Sequence, residues 1–134
     1  MTAKEKKVRQ EDKNAASAYL KKATDNYEQM LAAYHASNWN AATTLAVQCA
    51  ISSADAICVQ EKGVRSISQD HLDVCDLVKQ LPIKDSDERS KQLRKVIIKK
   101  NVVQYESRSA RKSDADEMVK VTTRFYQWVN EIMQ

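Results

Sequence analysis

Residues 39–62 read WNAATTLAVQCAISSADAICVQEK, and how this stretch buries its side chains decides the fold. Between Glu28 and Glu61 there is one formal charge, Asp55. Leu45, Val47, Ile51, Ile57 and Val59 stand among Ala, Ser and Thr, so the segment is apolar or small on almost every side. A helix of that kind belongs in the middle of a bundle. The quiet region is not read as a membrane span, because His35, Asn38, Asn40 and Gln48 keep it from about 18 consecutive apolar residues.

Working outward, the chain of 134 residues suits one domain that hides roughly two thirds of its unfolded surface. It holds one Gly (Gly63) and one Pro (Pro82), far too few for the turns a sheet protein needs. No apolar/polar alternation runs as long as six residues, and the rest of the composition favours helix. The expectation is an all-α, antiparallel, single-domain bundle of about five helices over residues 14–134. Residues 1–13 are charged, lack the apolar block of a signal peptide, and are expected to be a flexible, solvated start. A cytoplasmic protein is expected.

Apolar spacing places the first helix over about Asn14–Ala36 through Tyr19, Ala23, Tyr27, Met30, Leu31 and Tyr34. Asn38 or Asn40 caps the second, and Gly63 ends it. A short third helix runs from about Ser68 to Gln80, where Pro82 blocks continuation. Asp85, Asp87 and Glu88 open a fourth that reaches about Ser107. Ser113, with Asp116 three residues on, caps a fifth whose inner half runs from Ala115 to Met133.

The fourth helix carries two apolar stripes at 100° per residue. Leu93, Val96, Ile97 and Val103 form one; Ile98, Val102 and Tyr105, flanked by Lys91 and Lys95, form the other. The second stripe meets another molecule, a second copy being the first choice, or packs under the last helix. From Arg89 to Lys112 the chain places nine Lys or Arg against a single acid, Glu106. Arg94, Lys95, Lys99, Arg108 and Arg111 are the expected basic face, suited to phosphates or an acidic protein. The net charge of +4 adds no whole-molecule argument.

Cys49, Cys58 and Cys75 lack metal-ligand spacing and read as buried, reduced thiols. Two separate histidines, His35 and His71, make no metal set. A single Gly excludes a phosphate-cradling loop, and no Ser–His–acid pattern supports covalent catalysis. No metal and no cofactor is expected. Asp55, alone in its helix, must find a cation, find donors, or become neutral.

Ala50-Ile51-Ser52-Ser53-Ala54-Asp55-Ala56 in the second helix and Lys99-Lys100-Asn101-Val102-Val103-Gln104-Tyr105 in the fourth, in this order of helices, resemble the HEPN domain family (higher eukaryotes and prokaryotes nucleotide-binding). The resemblance covers roughly Ala15–Met133. It implies a bundle that pairs through its functional face as a homodimer. Many such proteins are metal-independent ribonucleases that use Arg, four to six residues, then His. Others are inert partners of a small nucleotidyltransferase or of a defence complex, as in toxin–antitoxin pairs. Here Lys100 stands where that Arg would be and Tyr105 where that His would be; Asn101 matches the polar residue after the Arg.

The replacement matters. A base for RNA cleavage has a pKa near neutrality, which His supplies and Tyr, near 10, does not. Lys neutralises a phosphate without the guanidinium fork. The resemblance implies that Asp55 faces Lys100 and Asn101 as part of a remnant pocket. The expected function is therefore a non-catalytic, dimeric module that binds a protein, nucleotide or nucleic acid through the fourth helix. The alternative is a metal-independent ribonuclease whose base has moved to His71, with Lys100 or Arg94 on the phosphate.

Overall fold

The computed structural model describes residues 7–106 and 108–134, with the side chains of Gln104 and Tyr105 outside that description. Among the described residues five α-helices follow one another: α1 (Ala16–His35), α2 (Trp39–Lys62), α3 (Leu72–Lys79), α4 (Ser86–Tyr105) and α5 (Lys112–Met133). The all-α expectation holds, with one small addition. Strands β1 (Val8–Gln10) and β2 (Val64–Ser66) form an antiparallel ribbon.

The central rod is α2. Ala42, Ala46, Ala50, Ala54, Ile57 and Val59 are fully buried on successive turns. Small side chains let neighbouring backbones approach closely: the Thr122 hydroxyl of α5 reaches the Ala46 carbonyl at 3.5 Å. By length and composition α2 is apolar enough to cross a membrane, yet 72% of that window is buried inside the bundle. Asn38 starts the helix by accepting from the Ala41 amide at 3.2 Å. Gly63, at φ +63°, ends it in the left-handed region.

Only three residues separate α1 from α2, which makes the two an antiparallel hairpin. Tyr27 of α1 stacks on Tyr126 of α5 at 4.4 Å between ring centroids. From α5 most of the expected inner half is buried, with Ala115, Thr122, Phe125 and Val129 deepest, while Val121, Ile132 and Met133 are half-buried. Leu93, Val96 and Ile97 carry α4 onto the same core. The second stripe of α4 does not pack under α5: Ile98 is 43% and Val102 47% exposed.

Three local expectations are corrected. Val8, Arg9 and Gln10 are exposed to solvent, yet they are not a loose start: they pair with Ser66, Arg65 and Val64, and the Glu11 amide donates to the Gly63 carbonyl at 2.8 Å. Charged side chains conceal this strand from any apolar pattern, because its backbone makes the contact. The third helix starts at Leu72, not Ser68, since Val64–Ser66 are committed to the ribbon and Asp70 turns the chain by accepting from the Leu72 amide. The last helix is entered from Arg111, not Ser113. Asp114 reaches back to the Arg111 amide at 2.8 Å, while Asp116 is engaged by Tyr34 and Lys112.

Candidate functional site

One ridge of α2 stays open. Asn40, Thr44 and Gln48 are exposed along it, and Ile51, Ser52 and Asp55 continue the row. Side chains at this three-to-four spacing share a helix face, so the ridge becomes the floor of a polar groove. A cavity of ≈ 520 Å³ lies at one end, between α2 and the C-terminal part of α4, with Lys100, Glu106 and Arg108 around it. Gln48 links it to a second cavity of ≈ 380 Å³ bordered by Tyr19, Lys22 and Arg65. Asp55 and Arg65 link that to a third, ≈ 280 Å³, which His71 lines.

Asp55 is buried, 4% exposed. Its cation is Arg65, whose Nε donates to Oδ2 at 3.2 Å. The expected partner, Lys100, lines the first cavity with Asn40 and Gln48 and forms no ion pair with Asp55 among the described residues. The Asp55–Lys100 pair is therefore corrected to Asp55–Arg65. Burial pushes the Asp55 carboxyl up to about 6, although Arg65 works against it. Sequence reasoning missed Arg65, because the strand that aims it was not legible. Its position just past the Gly63 break was the available signal.

Arg65 and Arg9 stand opposite each other in the ribbon. Like charges in that position repel, and each is answered by its own acid: Arg65 by Asp55, and Arg9 by Glu11 at 2.5 Å. The Tyr19 hydroxyl donates to the same Glu11 at 2.8 Å, and the Arg65 guanidinium lies over the Tyr19 ring at 5.2 Å.

Lys100 is half-buried, and no ion pair holds it among the described residues. Asn101 is exposed, a 100° step further round the helix, so neighbours in sequence serve different surfaces here. Tyr105, the other replaced position, has its side chain outside the described residues. His71 lines one cavity with Asp55 and Arg65, and its Nδ1 is buried without a hydrogen-bond partner among the described residues. Burial lowers the His71 pKa, and the charge of Lys100 lowers it further.

The basic run divides into two groups. Asp114, 3% exposed, holds Lys99 at 3.1 Å and Arg108 at 2.9 Å, and Glu106 also engages Arg108. The Arg108 guanidinium, the Arg111 amide and the Lys99 ammonium together keep the Asp114 carboxyl well below the usual carboxylate range. Lys91 pairs with Asp87 at 3.4 Å and Lys112 with Asp116 at 3.0 Å. The expected basic face is corrected accordingly, since Lys99 and Arg108 are committed to Asp114. Arg94, Lys95, Lys100 and Arg111 carry no ion pair among the described residues. Arg94, Lys95, Ile98 and Val102 surround a shallow cavity of ≈ 310 Å³ on the outer face of α4.

Among the described residues no three His, Cys, Asp or Glu are grouped as metal ligands. Burial pushes the thiols of Cys49, Cys58 and Cys75 up to about 12, which keeps them protonated and unreactive.

A central small-residue helix, four amphipathic neighbours and a basic fourth helix beside a polar groove define an all-α module of the nucleotide-binding or ribonuclease-like kind. The HEPN domain model matches residues 16–132, from the start of α1 to the last turn of α5, and the chain belongs to the HEPN domain family. Neither a curated protein nor a solved structure matches it.

Proposed function

We propose that this HEPN domain is a cytoplasmic, non-catalytic interaction module that pairs with a second copy through the outer face of α4. The observation that carries the reading is the exposure of Ile98 and Val102, 43% and 47%, one turn apart on the side of α4 away from the core. A helix that buries one stripe and leaves a second in water is stabilised when another surface covers it. A two-fold axis between these residues, with the two α4 helices antiparallel, sets Ile98 of one copy against Val102 of the other. The cations without an ion pair among the described residues, Arg94, Lys95 and Arg111 at exposed positions and Lys100 in the groove, are offered to a partner protein such as a nucleotidyltransferase, a nucleotide, or RNA phosphates. A toxin–antitoxin or defence pairing is the biological setting this suits. Lys100 in place of Arg, with Tyr105 in place of His, supports the absence of catalysis.

A second reading has its own observation. His71 and Lys100 line cavities of one groove, as a base and a phosphate-binding cation in a metal-independent ribonuclease would. Incubation of the purified protein with mixed RNA separates the two. The first reading predicts intact RNA after prolonged exposure. Cleavage that disappears in His71→Ala overturns it in favour of the second.

A further inference from the structure

The middle cavity has a property the pairing of α4 does not use: Arg65 and Lys22 bring to it donors that no acceptor takes up among the described residues, although the carboxylates of Asp25 and Asp55 also line it. Arg65 gives its Nε to Asp55 at 3.2 Å, and its two terminal nitrogens carry no hydrogen bond among the described residues. Three constraints fix that guanidinium. Asp55 holds its inner edge, the Tyr19 ring lies against its plane at 5.2 Å, and its backbone is paired with Arg9 in the ribbon. Lys22 projects over the same Tyr19 ring at 5.6 Å, and no acid pairs with it among the described residues. The side chains of Asn26, Gln48 and Ser52, which complete the lining, are equally without hydrogen bonds there.

The acids around the cavity are already answered. Asp25 is held by Lys21 at 3.0 Å, Asp55 by Arg65, and Glu11 by Arg9. The lining itself holds two cations, Lys22 and Arg65, and two carboxylates, Asp25 and Asp55; because Lys21 answers Asp25 from outside the cavity, Lys22 is the charge left over. A planar fork of two N–H donors matches two oxygens of a carboxylate or a phosphoryl group, and charge-assisted bonds of this type are the strong ones. A volume of ≈ 380 Å³ admits a small ligand.

We propose that Arg65 and Lys22, with Ser52 and Asn26, form a small-oxyanion site on the α1–β2 side of the groove, with Asp55 and Tyr19 positioning the Arg65 fork. Lys22 and Arg65 would contact the ligand; Asp55 acts through Arg65 alone. The site lies apart from the outer face of α4, so it stands or falls independently of the proposed pairing.

The test is an NMR titration of the full chain with sulfate, acetate and chloride at matched ionic strength. Saturable shifts of the Arg65 side-chain N–H and of the Ser52 and Asn26 signals are expected with sulfate, acetate or both, and none with chloride. A response to sulfate alone marks phosphoryl ligands; a response to acetate alone marks carboxylates. Lys22→Gln, at an exposed position, should fold normally and weaken binding about tenfold, the order expected for one charge-assisted contact. Arg65→Lys retains the charge and loses the fork, and should weaken it at least as much. Chloride shifts equal to those of sulfate would overturn the site. So would shifts confined to Arg94 and Lys95, or unchanged affinity in Lys22→Gln.

Discussion

Replacing Asp55 by Asn tests how the groove is built. Asp55 is buried in the charge-poor middle of α2, and its carboxyl is pushed from 3.8 up to about 6 despite Arg65. A group whose folded pKa lies above its unfolded value favours the folded state while it is protonated. Its contribution is fully present below about pH 4 and is lost as pH rises through about 6. A displacement from 3.8 to about 6 corresponds to about 3 kcal/mol between those limits. For a chain of 134 residues this is a difference in Tm of about 10 °C. Asp114 works in the other direction, because its carboxyl is held low and its contribution is lost only under strong acid. Both proteins share that second effect, so the difference between them isolates Asp55. Thermal unfolding followed by circular dichroism from about pH 4 to about pH 8 should show the wild type losing ground to Asp55→Asn as pH rises. Parallel curves would refute the reasoning and show that the Asp55–Arg65 pair offsets the whole cost of burial.

Two further substitutions probe the frame. Asp114→Asn removes the carboxylate shared by Lys99, Arg108 and the Arg111 amide; loss of the cap and of two partly solvated ion pairs should cost about 2 kcal/mol in urea unfolding. The same variant frees two cations, so its elution from a cation exchanger should move to higher salt. Gly63→Ala places a methyl group 3.3 Å from the Glu11 carbonyl at φ +63°, and should destabilise by about 1 to 2 kcal/mol by the same measurement. Unchanged stability there would mean that the β1 crossing is not fixed.

The sequence disclosed the elements whose burial drives folding. A nearly charge-free segment from Trp39 to Lys62 has few places to go except the centre, and the wheel of α5 separates cleanly into an apolar and a polar half. The second stripe of α4 was also legible, because Ile98 and Val102 fall on one line opposite Leu93 and Ile97. Backbone pairing left no such trace. Val8–Gln10 and Val64–Ser66 are short and charged, so the ribbon was invisible, and with it Arg65, the cation that Asp55 uses. Spatial pairing was equally hidden for Lys99 and Arg108. They read as a free basic face because Asp114, which binds both, lies beyond the run that defined it. A charge count along one segment cannot register an acid supplied by the next helix.

Light scattering coupled to size exclusion, on the wild type and on Ile98→Asp, tests the central claim most directly. The account predicts twice the chain mass of 15.3 kDa for the wild type, and 15.3 kDa for the variant with an unchanged helical spectrum. A wild-type chain that elutes as a monomer at tens of micromolar, or a variant that still pairs, would contradict it.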